Sequence, residues 1–317
     1  MAETPRRASI VVKSAGSLET LGLCVKLWRP QTPASALSRC VGARQGHPNA
    51  DSPEKPAPVI RSALTCLLAL PLLAVTPAAA QVDAGASYVV TISGVNIAQM
   101  DIDLSDTGTR YSLDLSARVA GFGAIVASGT ASAQAAGALT NSGLVSDSFN
   151  LETRANGERF TVEVDFANRA VTAFKVDPPV LDTWDRIPLE RRHLTGVGDF
   201  LSAFVLRGRA LNADLCNRRA EIFTGVERFT IRMAYAGEDT ATSPRTGYQG
   251  PVVLCTLDYD PISGHYSESE ITNYLANSQR MLVWFAPLGT TGYFIPYRAI
   301  VGTGSGDLSM VLTKLTY

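Results

Sequence analysis

Between Ser87 and Val176 apolar and polar side chains alternate with a period of two, interrupted only by short turn signals. Tyr88–Ile92 is apolar, Ile97–Leu104 alternates, and Tyr111–Val119 places apolar or small side chains at 111, 113, 115, 117 and 119. Ile125–Ala136 is rich in Ala, Ser and Thr; Leu144–Arg154, Phe160–Phe166 and Ala170–Val176 complete the run. Alternation of this kind predicts strands with one packed and one wet face. Ser93-Gly94, Asp106-Thr107-Gly108, Asn156-Gly157 and Asn168-Arg169 carry the composition of hairpin turns. Strands joined this tightly form an antiparallel meander rather than βαβ units.

Pro178-Pro179 ends the run, and a polar segment with Trp184, Pro188 and Arg191-Arg192-His193 follows. Asp199–Leu211 then carries Phe200, Leu201, Phe204, Val205 and Leu211 at helical spacing, which predicts one prominent helix. A second β group covers Ala220–Thr224, Glu227–Ala236, Val252–Tyr259, Met281–Ala286, Gly292–Val301 and Leu308–Thr316. So many antiparallel strands accumulate twist and curl. The expected fold class is mainly β: an antiparallel, strongly curved sheet, a half-barrel or incomplete barrel, with one prominent helix.

The N-terminal 80 residues follow neither pattern. Arg61, an apolar run over Ala63–Val75 and the small-residue stretch Thr76-Pro77-Ala78-Ala79-Ala80 have the anatomy of a signal peptide cleaved after Ala80. The run is short for a membrane span and contains Pro71. Residues 1–60 carry scattered Pro and Arg without periodicity and read as a disordered or untranslated extension, with Val59 a candidate bacterial start. The expected organisation is therefore 1–60 extension, 61–80 signal peptide and 81–317 a single β-rich domain of a periplasmic protein with no integral membrane span.

Charge narrows the partners. The full chain is 46% apolar and 18% charged with a net charge of −1; residues 81–317 hold 19 basic against 25 acidic side chains, a net of −6. A nucleic-acid binder needs a basic stripe, so nucleic acid is excluded as an expected partner. Only Cys216 and Cys255 lie beyond residue 80. In an exported domain they predict one disulfide, the alternative being two buried free thiols.

Candidate chemistry is sparse. His193 sits beside Arg191-Arg192 and His265 follows Ser263-Gly264, and neither lies in a motif that fixes a nucleophile. Gly302–Gly306 lacks the spacing of a nucleophile elbow. Asp258 and Asp260 precede Gly264 in a spacing that departs from a calcium loop, and they read as turn residues. No catalytic residue, metal or cofactor is expected. Trp284, Phe285, Tyr293, Phe294 and Tyr297 cluster late in the chain. They are either core packing or the wall of a cavity for a lipid or other apolar small molecule.

These segments together resemble the bacterial exported family catalogued as domain of unknown function 3108. The resemblance rests on Tyr88 to Gly94, Gly198-Asp199-Phe200-Leu201-Ser202-Ala203-Phe204, Cys216, Phe223-Thr224-Gly225 before Arg228-Phe229, Cys255, Val283–Pro287 and Ile295-Pro296-Tyr297-Arg298. It implies an exported, β-rich envelope protein and transfers no functional residue. The reading at this level is a binding or carrier protein for an apolar envelope molecule. The alternatives are a structural or interaction protein that docks envelope proteins, and a hydrolase whose site forms only in three dimensions.

Overall fold

The alternating segments become strands of a single antiparallel sheet in the computed structural model, which describes residues 81–140, 143–303 and 306–317. The extension 1–60 and the signal-peptide segment 61–80 lie outside the described residues. In chain order the strands are β1 (Val82–Ile92), β2 (Val95–Asp106), β3 (Arg110–Val119), β4 (Gly129–Thr140), β5 (Gly143–Ala155), β6 (Glu158–Ala167) and β7 (Ala170–Asp177). There follow β8 (Leu206–Arg207), β9 (Arg218–Phe223), β10 (Arg228–Ala241), β11 (Gly250–Ser263), β12 (Met281–Pro287), β13 (Tyr293–Thr303) and β14 (Gly306–Thr316). A helical turn, α1 (Gly123–Val126), precedes β4, and α2 (Glu270–Asn277) precedes β12.

The strand order is β7-β6-β5-β4-β3-β2-β1-β14-β13-β12-β11-β10-β9, with β8 paired to β13. Both groups read from sequence therefore belong to one sheet, joined where β1 meets β14. The sheet does not close: β7 and β9 remain edges. An irregular strip spans the gap between them, Thr195 bridging to Ala170 and Gly198 to Ile222. The Val197 N–H donates to the Arg169 carbonyl at 2.9 Å and the Phe223 N–H to the Gly198 carbonyl at 3.0 Å. The result is an incomplete barrel whose seam is stitched by connecting chain rather than by a strand pair.

Two cores sit on opposite faces of the sheet. The first fills the barrel and draws Tyr88, Leu113, Phe149, Val162, Val164, Phe223, Tyr293 and Leu312 from strands all around it. The second covers the outer face of the C-terminal strands with Leu206, Leu215, Ile222, Phe229, Ile231, Val253, Val283, Phe285 and Phe294. Cys216 and Cys255 are joined in this second core, 39 residues apart, as the predicted disulfide. Small residues let the N-terminal strands curl tightly. At the bulge beside Gly137 a Cβ atom would stand 1.9 Å from the Val145 carbonyl oxygen, so only glycine fits.

The prominent helix is not where the periodicity places it. Asp199–Leu211 forms a short 3-10 turn at Ser202–Phe204, then β8. Asp199 is buried, and its carboxylate accepts from the Ser202 N–H at 2.8 Å and the Ser202 hydroxyl at 2.6 Å. Leu201 and Val205 enter the first core while Leu206 enters the second, and from Val205 the backbone is extended, so neighbouring side chains point to opposite faces. The 3.6-residue spacing thus reflects a chain crossing between two cores. The helix of more than one turn is α2, capped by Ser269, whose hydroxyl accepts from the Thr272 N–H at 3.3 Å. Likewise the strand read from Ile125 begins at Gly129, after α1.

Candidate functional site

The barrel interior is largely filled by the first core. A void among Tyr88, Leu104, Leu113, Leu288 and Ile295 measures about 30 Å³, room for roughly one water molecule. The five aromatic residues singled out in the sequence do not form one wall. Tyr293 and Tyr297 face the first core, where Tyr293 donates its hydroxyl to Asp106 at 2.7 Å and Tyr297 packs edge-on against Tyr248. Burial and the Asp106 carboxylate both raise the Tyr293 pKa, keeping the phenol protonated. Phe285 and Phe294 face the second core. Trp284, half-buried, donates Nε1–H to Asp239 at 3.1 Å and lies under the Arg298 guanidinium.

A larger cavity lies where sequence reading saw only a polar linker. At the β7 edge the connector 178–189 arches over a cleft of about 560 Å³. Phe174 and Val176 of β7 form one wall; they pair in register with Val164 and Val162, so they share the face that packs the barrel. Pro179, Val180, Pro188 and Leu189 of the connector form the roof, and Gly225 of the β9–β10 turn closes the far side. Gly225 has φ +89°, and a Cβ there would meet Val162 Cγ1 at 2.2 Å, so glycine alone lets this turn seat on β6. Phe174 stacks edge-on against Phe223 with ring centroids 5.3 Å apart, holding the two sides of the seam together.

Arg186 organises the connector. Its Nε donates to the Gly264 carbonyl at 2.9 Å, Nη2 donates to the Val226 carbonyl at 3.2 Å, and Nη1 pairs with Asp182. The guanidinium thus clamps the connector to two turns with its charge already answered. Among the described residues it is the only cation lining the cleft. Glu227 lies close behind it, and burial pushes its pKa up against the opposing pull of Arg186. The lining is otherwise apolar apart from Asp182 and Thr183, which suits a neutral apolar molecule better than an anionic one.

The titratable candidates are not assembled for catalysis. His193 receives the Glu190 N–H on Nδ1 at 3.1 Å, an arrangement that caps a 3-10 turn. His265 is partly buried, which lowers its pKa. Ser263 Oγ and His265 Nδ1 are each without a partner among the described residues, so they do not form a nucleophile–base pair. Asp260 pairs with Arg232 at 2.6 Å.

Against known proteins, the model of the family described as "Protein of unknown function (DUF3108)" matches residues 87–313. This chain belongs to the DUF3108 family. The match runs from within β1 to within β14 and includes the seam and the disulfide. A crystal structure of a beta-barrel-like protein of domain of unknown function DUF1849 from Brucella abortus is similar, with 14% identity and a TM-score of 0.43. That alignment covers 74% of this chain and 97% of the other. No curated protein matches. Among the described residues, no helix is long and apolar enough to cross a membrane.

The cleft was not found by sequence reading, although a signal existed. Three prolines (Pro178, Pro179 and Pro188) and a lone Trp184 in a segment between two strand groups mark a loop with a fixed course.

Proposed function

We propose that this DUF3108 protein is an exported periplasmic protein that binds a neutral, apolar envelope molecule in the seam cleft, without catalysis. The observation that carries the reading is the cleft itself: about 560 Å³, walled mainly by Phe174, Val176, Pro179, Val180, Pro188 and Leu189. Its volume falls within the range of small-molecule sites, roughly 300–1,000 Å³. The seam cleft is far roomier than the void of about 30 Å³ beside Tyr88 in the lumen, which favours the seam as the site. Export is supported by the signal-peptide anatomy of residues 61–80 and by a disulfide, which persists in oxidising compartments.

The test is titration with a neutral apolar fluorophore, N-phenylnaphthylamine, on the wild type and on Val176→Trp, whose larger side chain fills the cleft. Saturable binding that Val176→Trp weakens at least tenfold, with an unchanged unfolding midpoint, is the expected result. Absence of saturable binding, or equal binding by both proteins, overturns the reading and leaves the envelope interaction protein as the better account. Native mass spectrometry of protein taken from the periplasm then identifies the resident ligand by the mass released on denaturation. A mature chain starting at Gln81 is expected there.

A further inference from the structure

Strand direction gathers a distinctive set of side chains at one end of the barrel. Strands β1, β3, β5, β7 and β13 finish there, and β2, β4, β6, β12 and β14 begin there. The β9–β10 turn, the end of β11 and α2 lie at the same end. Five of the nine large apolar residues exposed among the described residues are found here: Val95, Phe122, Leu181, Trp184 and Tyr274. They stand on four separate connections, the β1–β2 turn, the β3–β4 loop, the connector and α2. Single exposed apolar residues scattered over a surface need no explanation, but a rim of them at one end does.

Two of these positions are extreme, Trp184 at 93% exposed and Phe122 at 70%. Neither exposure comes from a slack loop. The Phe122 N–H donates to the Asn96 carbonyl at 3.1 Å, tying its loop to the turn that bears Val95. Around Trp184, the Arg186 N–H donates to the Thr183 carbonyl at 3.0 Å, and the Tyr266 hydroxyl donates to the Leu181 carbonyl at 3.2 Å. The Arg186 clamp anchors the same turn from behind. The fold holds these side chains in water on a fixed backbone.

We infer that this rim docks on the interface of a zwitterionic lipid bilayer, so that the seam cleft opens at the membrane surface. Single apolar tips on separate connections can each enter a bilayer interface, without the contiguous buried core that marks a protein–protein interface. Trp is the residue that settles at the headgroup level, its ring apolar and its N–H wet. Charge selects the lipid class. Arg280 pairs with Asp307, Arg154 and Arg159 both pair with Glu152, and Arg186 pairs with Asp182. Glu158, Asp185, Glu268 and Glu270 stand at the same end, so among the described residues it offers no basic cluster for acidic lipid, and its interleaved pairs suit a zwitterionic layer. The inference rests on the reading of the cleft as a ligand site for its purpose, because a ligand entering from the bilayer need not cross water. Its geometry stands independently.

The experiment is co-sedimentation of the protein purified from the periplasm, without residues 1–80, with phosphatidylcholine vesicles at low and high salt, with bromine-labelled acyl chains as fluorescence quenchers. Binding is expected to be insensitive to salt, and Trp184→Phe is expected to remove the quenchable emission. Phe122→Ser combined with Trp184→Ser is expected to weaken partitioning roughly tenfold or more, as the loss of two inserted apolar side chains demands. Failure to bind, binding that the double variant retains, quenching that survives Trp184→Phe, or a requirement for anionic lipid each overturns the inference. Phe122→Ser alone should leave fluorophore binding in the cleft intact, and Val176→Trp should leave vesicle binding intact. Failure of docking and failure of the cleft reading are thereby separated.

Discussion

In β6, Val162, Val164 and Phe166 are buried while Glu163 and Asp165 between them are exposed. In β12, the consecutive residues Phe285 and Ala286 are both fully buried, one in each core. The N-terminal strands form a single layer with one wet face, whereas the central C-terminal strands are covered on both. A substitution in the first region therefore costs stability only at every second position, and in the second region at successive positions. Phe285→Ala is expected to lose roughly 3–5 kcal/mol, and Ala286→Leu about 1–3 kcal/mol through overpacking. In β6, Val162→Ala is expected to lose about 2 kcal/mol, and Glu163→Ala less than about 0.5 kcal/mol. Denaturant midpoints of the four variants test the contrast, which collapses if Ala286→Leu is as neutral as Glu163→Ala.

The same difference explains what the sequence discloses. Where one face is wet, as in Ile97–Leu104 or Phe160–Phe166, the period of two is visible and the strands are read near their true bounds. Where both faces are buried the period disappears, and strands such as Met281–Pro287 are legible only through composition. Asp199–Leu211 shows the failure that follows: apolar residues directed to two cores mimic a helical stripe. The late aromatic cluster is misleading for a related reason, since adjacent positions such as Tyr293 and Phe294 point to opposite cores. The disulfide was legible because only two cysteines follow residue 80. The cleft depends on an arch of chain meeting a strand edge distant in sequence, which no local pattern encodes.

The disulfide sharpens the comparison from another side, because it staples only the doubly covered region. Closing a 39-residue separation limits the unfolded chain and contributes roughly 4 kcal/mol on the chain-entropy model. Cys216→Ser, or reduction of the wild type, is expected to lower stability by about that amount. Hydrogen exchange should then show protection lost first in β9 to β11 around the second core, while β2 to β5 remain protected. Uniform loss of protection through the sheet would mean that the two regions unfold as one unit.

The smallest expected effect concerns the seam, where the two regions meet. Glu227 stands in the β9–β10 turn with its pKa raised, burial outweighing the attraction of Arg186 and the hydrogen bond from Tyr259. A carboxylate whose folded pKa exceeds its unfolded value near 4.5 contributes its full stability below that value. That contribution is lost as pH rises through the folded pKa, because the folded state must then hold a poorly solvated charge. Glu227→Gln removes the ionisation while retaining a side-chain acceptor. It is expected to raise stability modestly at neutral pH, with the gain fading toward zero as the pH falls below about 4.5. Denaturation midpoints of both proteins across that window provide the check. A variant less stable than wild type at neutral pH would mean that attraction to Arg186 prevails over burial and that the seam is held by charge.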